Sequence, residues 1–147
     1  MDEIGIQGVS VTPLKQIFKQ GGSIFHALKK SESSFQGFGE AYFSHVDHNA
    51  IKAWKTHRDM LLNLVVPCGA VKFVMIDRRE GSESQGNFYE ITLGPDENYA
   101  RLSIPPGITF GFMGVGQDVN LVLNVASIEH DPNEMVNIDK EEIPYNW

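Results

Sequence analysis

From Gly39 onward the chain is a run of eight short stretches, residues 39–46, 50–57, 61–67, 70–79, 87–94, 99–105, 108–115 and 119–128, none of them long or periodic enough for a helix. They are rich in β-branched and aromatic residues, and several alternate apolar with polar positions. The connectors "VDHN", "PCG", "EGSESQG", "GPDEN", "PPG" and "VGQD" all carry turn chemistry. Short strands at near-regular spacing restrict the chain to an all-β fold, an antiparallel sandwich or a barrel such as a jelly roll. Ahead of Gly39, the pair Gly21-Gly22 interrupts "VTPLKQIFKQGGSIFHALKK". An irregular N-terminal segment is expected there, with at most an edge strand or a short helix.

In the stretch "AIKAWKTH" strand alternation puts Ile51, Ala53, Lys55 and His57 on one face and Lys52, Trp54 and Thr56 on the other. Lys55 and His57 therefore travel together. Facing inward they would stand where a ligand lies; facing outward they would be surface residues.

With 147 residues the chain is expected to form one domain, residues 1–147. Its formal charge of −7 argues against nucleic-acid binding, which depends on neutralising many phosphates. A small anion is a different matter, because Lys52, Lys55, His57, Arg58, Lys72, Arg78 and Arg79 fall within 28 residues. The single cysteine, Cys68, excludes an intramolecular disulfide and fits a reducing compartment. No apolar run reaches the roughly 18 residues of a membrane span, and "MDEIGIQGVS" has no basic region followed by an apolar one. A soluble, cytoplasmic protein with no membrane partner is expected.

The order of strands and turns resembles the cupin superfamily. Its first motif places a glycine, His-x-His, a glutamate and a closing glycine; Asn49, Lys55, His57 and Gly69 occupy the comparable places here, and the glutamate is missing. Its second motif, Pro-x-Gly-x-x-His, corresponds to Pro105, Gly107 and Phe110. The resemblance implies a cupin-type jelly-roll barrel. One remaining imidazole is too few for the usual ligand set, so neither a metal nor another cofactor is expected.

Within that superfamily, residues 18–147 resemble the dTDP-4-dehydrorhamnose 3,5-epimerase family of nucleotide-sugar epimerases. The marks are "IKAWKTH", "VMIDRRE" followed by "SESQG", "IPPGITFGF" and the ending "EHDPNE" through "IPYNW". The resemblance implies metal-independent proton abstraction beside a 4-keto group, at C3 or C5 of a nucleotide-linked 6-deoxysugar. In that family a histidine oriented by an aspartate is the base, and a tyrosine on the opposite face is the acid. Carried across, the base falls on Lys55, the acid on or near Leu123 with Asn124 beside it, and a further histidine on Phe110. Asp77 and Arg79 match, Lys52 retains the charge of an arginine, and Asp139 aligns with the orienting aspartate.

Ordinary side-chain pKa values divide the roles among these residues. His57 titrates near neutrality without tuning, whereas a lysine is protonated there and suits an oxyanion better than a proton. His57 is therefore assigned as base, Lys55 as electrostatic partner of the keto oxygen and Tyr42 as acid. Lys52, Asp77, Arg79 and Asn124 are assigned to substrate binding, with Arg79 on the diphosphate. Trp54 and Phe43 are expected either in the core or stacked on substrate. Two other readings remain open: a cupin that binds a sugar without turnover, and a related 3,4-ketoisomerase. The resemblance also implies a homodimer.

Overall fold

The computed structural model describes residues 2–3 and 5–147. In chain order the strands are β1 (Asp2–Glu3), β2 (Ser10–Pro13), β3 (Gln16–Ile17), β4 (Ile24–Phe25), β5 (Glu40–His45), β6 (Ile51–His57) and β7 (Leu62–Cys68). They continue with β8 (Val71–Ile76), β9 (Phe88–Leu93), β10 (Ala100–Ile104), β11 (Thr109–Gly114), β12 (Leu121–Ala126) and β13 (Met135–Asn137). Each stretch expected from Gly39 onward corresponds to one of these strands, most of them shortened at their ends, while β7 runs one residue past its stretch to Cys68. In the stretch 70–79 the strand ends at Ile76, and the Asp77 side chain accepts hydrogen bonds from Arg79, Ser82 and Ser84 that organise the turn that follows.

The strands form a six-stranded antiparallel sheet, β1-β2-β10-β7-β12-β5, and a five-stranded one, β13-β6-β11-β8-β9. Leu62, Leu64, Leu102, Ile104 and Val122 of the first sheet pack against Val71, Phe73, Met75, Leu93 and Phe110 of the second in one apolar cluster. The jelly-roll barrel expected from the sequence is not formed: the sheets stay open, ending at β1 and β5 on one side and at β13 and β9 on the other. Strand alternation is the same in an open sandwich and a closed barrel, so the pattern along each strand carries no signal for closure. The N-terminal segment is more ordered than expected, since β1 and β2 extend the six-stranded sheet and β3 pairs with β4. Residues 26–34 then cross the outside of that sheet, where the buried Arg101 side chain donates to the Ala27 carbonyl, Ser34 and Glu32. No described helix is long and apolar enough to cross a membrane.

One irregularity governs the inward face of the five-stranded sheet. Between β6 and β11, Lys55 pairs with Phe110 and Ala53 with Gly111, so Trp54 is an extra residue in β6. The bulge resets the alternation. Lys52, which strict alternation puts opposite to Lys55, instead pairs with Phe112 and faces the same interior as Lys55 and His57. Trp54 turns outward and is buried with Val74, Ile143, Tyr145 and Trp147 under the C-terminal arm. A side chain at position 111 would not fit, because a Cβ there would lie 2.7 Å from the Ala53 Cβ. Gly111→Ala is predicted to destabilise the fold by about 1–3 kcal/mol through overpacking, read as a lower urea midpoint.

Candidate active site

Between the sheets lies a cavity of about 610 Å³. Lys52, Lys55, His57, Phe110 and Phe112 line it from the five-stranded sheet, and Tyr42, Ser44, His45, Leu62, Leu64, Val122 and Asn124 from the six-stranded sheet. Asn137 of β13 closes one side. No carboxylate is among these lining residues, and neither Lys52 nor Lys55 makes an ion pair among the described residues. A chain of net charge −7 thus keeps two lysines without an ion pair on this cavity, Lys52 exposed and Lys55 half-buried, which favours an anionic ligand.

His57 is the most constrained group in this wall. It is 4% exposed, its ring stacks on Phe110 at 6.1 Å, and its carbonyl accepts a hydrogen bond from Gly107 N–H at 2.7 Å. Its Nδ1 bonds to Glu134 Oε1. Glu134 Oε2 in turn accepts from the backbone N–H groups of Asp59 at 3.1 Å and Met60 at 3.3 Å. An ionised carboxylate only accepts, so Nδ1 carries the hydrogen and Nε2 keeps a lone pair. Among the described residues nothing in the protein bonds to Nε2.

The electrostatics suit a base. Burial pushes His57 below its ordinary value, aided by the charge of Lys55 and by His130, against the opposing pull of the bond to Glu134. Burial would raise Glu134, but the bonds from His57, Asp59 and Met60 outweigh it and hold the carboxyl below its usual range. The pair is thus a neutral imidazole on a carboxylate.

Across the cavity stands Tyr42, 39% exposed at the mouth and so not core filler. Its hydroxyl accepts a hydrogen bond from Asn124 Nδ2 at 3.1 Å. The structure therefore brings His57, Lys55, Tyr42, Lys52 and Asn124 to one cavity. It places three other expected residues elsewhere. Asp139 is exposed and precedes the short 3-10 turn Lys140–Glu142; the carboxylate on His57 is Glu134. Asp77 and Arg79 lie outside the cavity lining. Arg79 donates from Nε to Asp77 Oδ1 at 2.9 Å and from a terminal nitrogen to Asp77 Oδ2 at 2.9 Å and to the Gln7 carbonyl at 2.6 Å. The Arg79 guanidinium holds Asp77 well below the usual carboxylate range, against its burial.

This pair still serves the site indirectly. A Cβ on Gly107 would meet Arg79 Cδ at 3.2 Å, so the stem of Arg79 packs on the turn whose N–H holds the His57 carbonyl. The Arg79 side chain thereby supports the strand end that carries His57. Leu123, where the family's acid falls, pairs with the exposed Phe43 and is absent from the cavity lining. Trp54 packs in the outer cluster, although part of the residue also borders the cavity. No group of three His, Cys, Asp or Glu side chains able to hold a metal ion occurs among the described residues.

Sequence reasoning missed Glu134, Ser44 and Asn137; His45 also borders the cavity, with its side chain 53% exposed. Glu134 is 77 positions from His57, and only the docking of β13 along β6 brings them together. Its one local sign was a carboxylate in the "DPNE" turn. Because the carboxylate raises the imidazole, Glu134→Gln is predicted to lower His57 still further. In NMR titrations the parent His57 should have a midpoint below the 6.5 or so of a free histidine, and the variant a lower one.

The fold has counterparts among known proteins, although no family model matches the chain. It is 36% identical to a dTDP sugar isomerase of Desulfovibrio desulfuricans G20, with a TM-score of 0.95 over 100% of this chain and 95% of that one. It is 26% identical over 146 residues to the spore coat polysaccharide biosynthesis protein SpsL of Bacillus subtilis (strain 168), covering 97% and 96% of the two chains. The fold is shared by NovW, a 4-keto-6-deoxy sugar epimerase of Streptomyces spheroides, at a TM-score of 0.84 and 18% identity, over 94% of this chain and 72% of that one.

Proposed function

The chain belongs to the dTDP-4-dehydrorhamnose 3,5-epimerase-like family of nucleotide-sugar epimerases, and on that premise we propose that it epimerises a nucleotide-linked 4-keto-6-deoxysugar. The observation that carries this reading is the facing pair. His57, seated on Glu134, and Tyr42 come from opposite sheets and line one cavity, as inversion at a carbon requires.

The steps follow from the residues. His57 Nε2 takes the proton from the carbon beside the ketone, and the electrons of that C–H bond form the enolate. Negative charge gathers on the former keto oxygen, where the Lys55 ammonium stabilises it. The Tyr42 hydroxyl gives its proton to the other face of the carbon, and the enolate returns to the ketone. Water restores the proton balance by removing one from His57 and returning one to Tyr42. Lys52 and His45 take the diphosphate at the end of the cavity where residues 46–50 join β5 to β6, leaving the sugar at the His57 end. The similarity to SpsL supports a role in surface-polysaccharide synthesis. A homodimer is part of the proposal, supported by exposed Phe38 and Phe43 beside the free edge β5. A single-chain mass in sedimentation equilibrium would remove it.

A second reading draws on the relative from D. desulfuricans, whose name, dTDP sugar isomerase, also covers a keto shift between C3 and C4. That reaction needs His57 on one face and does not require Tyr42.

Proton NMR of dTDP-4-keto-6-deoxyglucose with the protein in deuterated water separates these readings. Loss of the C3 or C5 signal with an inverted product, abolished by His57→Asn, is the expected result. A 3-keto product supports the second reading instead. Binding without exchange leaves a non-catalytic sugar-binding protein. Lys55→Met is predicted to lower kcat by about 10²–10³-fold, as for loss of an oxyanion donor, with a smaller change in KM.

A further inference from the structure

We propose that Asn124 is a positioning residue that makes Tyr42 a proton donor toward the cavity, and that it does not itself bind substrate. The inference rests on the acid assignment above and adds the reason the phenol points its proton inward. Asn124 is 2% exposed on β12 and pairs in register with Tyr42 on β5. Its Oδ1 accepts the backbone N–H of Asn63 at 3.1 Å. A backbone N–H only donates, so this bond fixes which end of the Asn124 amide is oxygen.

The consequence falls on the other end. Nδ2, a donor without lone pairs to offer, faces the Tyr42 oxygen at 3.1 Å and Met60 Sδ at 3.9 Å. Both amide hydrogens thus have partners inside the protein, and none remains for a ligand. The Tyr42 oxygen receives a hydrogen bond and must turn its own proton elsewhere. No acceptor for that proton is found among the described residues, and the side chain lines the cavity. The same bond stabilises the phenolate that remains after the proton has left.

The arrangement is braced from behind. Asn63 accepts from Ser103 Oγ at 2.6 Å and donates from Nδ2 to the Ser34 carbonyl at 3.0 Å. The backbone donor that orients Asn124 is therefore held by bonds on the side of the sheet away from the cavity.

Asn124→Asp tests the polarity of this bond. It keeps size and an acceptor for Asn63 but, when ionised, offers Tyr42 only acceptors and draws the hydroxyl proton away from the cavity. With dTDP-4-keto-6-deoxyglucose in deuterated water, Asn124→Asp is expected to behave like Tyr42→Phe. Exchange dependent on His57 continues near the parent rate, while inverted product falls by about 100-fold or more, the worth of a general acid. The double variant should be no worse than Tyr42→Phe alone. Asn124→Leu, which fills similar volume without either bond, should give the same split more weakly and serves where the carboxylate prevents folding. Parental inversion by Tyr42→Phe would overturn the acid assignment and this inference together. A split in Tyr42→Phe with parental inversion in Asn124→Asp would overturn the inference alone. Loss of exchange as well as inversion in Asn124→Asp, with exchange kept in Tyr42→Phe, would mark Asn124 as a substrate contact and overturn it too.

Discussion

Everything the cavity can do depends on one extra residue in β6. Without the bulge at Trp54, alternation would carry Lys52 to the outside and leave one lysine facing the ligand space. With it, Lys52 and Lys55 point inward three positions apart, and Trp54 is freed to anchor the C-terminal arm on the outer face. The bulge exists because the partner position is Gly111, where no Cβ competes with Ala53 for space. A single backbone irregularity thus sets both the charge of the interior and the seating of the arm that brings Glu134 to His57.

The polar groups of the site are organised by bonds that leave little freedom. Backbone donors hold both partners that matter: Asp59 and Met60 fix Glu134, and Asn63 fixes Asn124. Backbone N–H groups cannot reverse their role as a hydroxyl can, so they impose polarity on what they touch. On one wall the result is an imidazole with its lone pair free, and on the other a phenol with its proton free. The apolar floor between them, Leu62, Leu64, Phe110 and Val122, belongs to the same packed interior as the rest of the sandwich. Lost packing there would move the two walls relative to each other.

Much of the fold was legible because local chemistry decides it. Turn residues and β-branched runs marked the strands from residue 39 on, and His57 and Lys55 stand together where alternation put them. What stayed hidden was non-local. Closure of a barrel, the bulge opposite Gly111 and the Glu134 contact each depend on which strands become neighbours, and a period of two along one strand is silent on that. Asp77 and Arg79 show a subtler limit. Their types and spacing were readable, yet the guanidinium that suits a diphosphate suits a buried carboxylate equally, and only the folded chain shows which it meets. Asp139 shows the converse: six carboxylates lie between residues 129 and 142, and the path of the arm along β6 selects Glu134 for His57.

The placement of Trp54 has an optical consequence. The chain contains only two tryptophans, and their rings lie 5.3 Å apart where the C-terminal arm meets the five-stranded sheet. Trp54 also donates its indole N–H to the Ile143 carbonyl at 3.2 Å, a bond made only when the arm is seated. Intrinsic fluorescence therefore comes from the contact that holds the arm in place. Its emission reports, without any label, whether the strand bearing the imidazole and the arm bearing its carboxylate are joined.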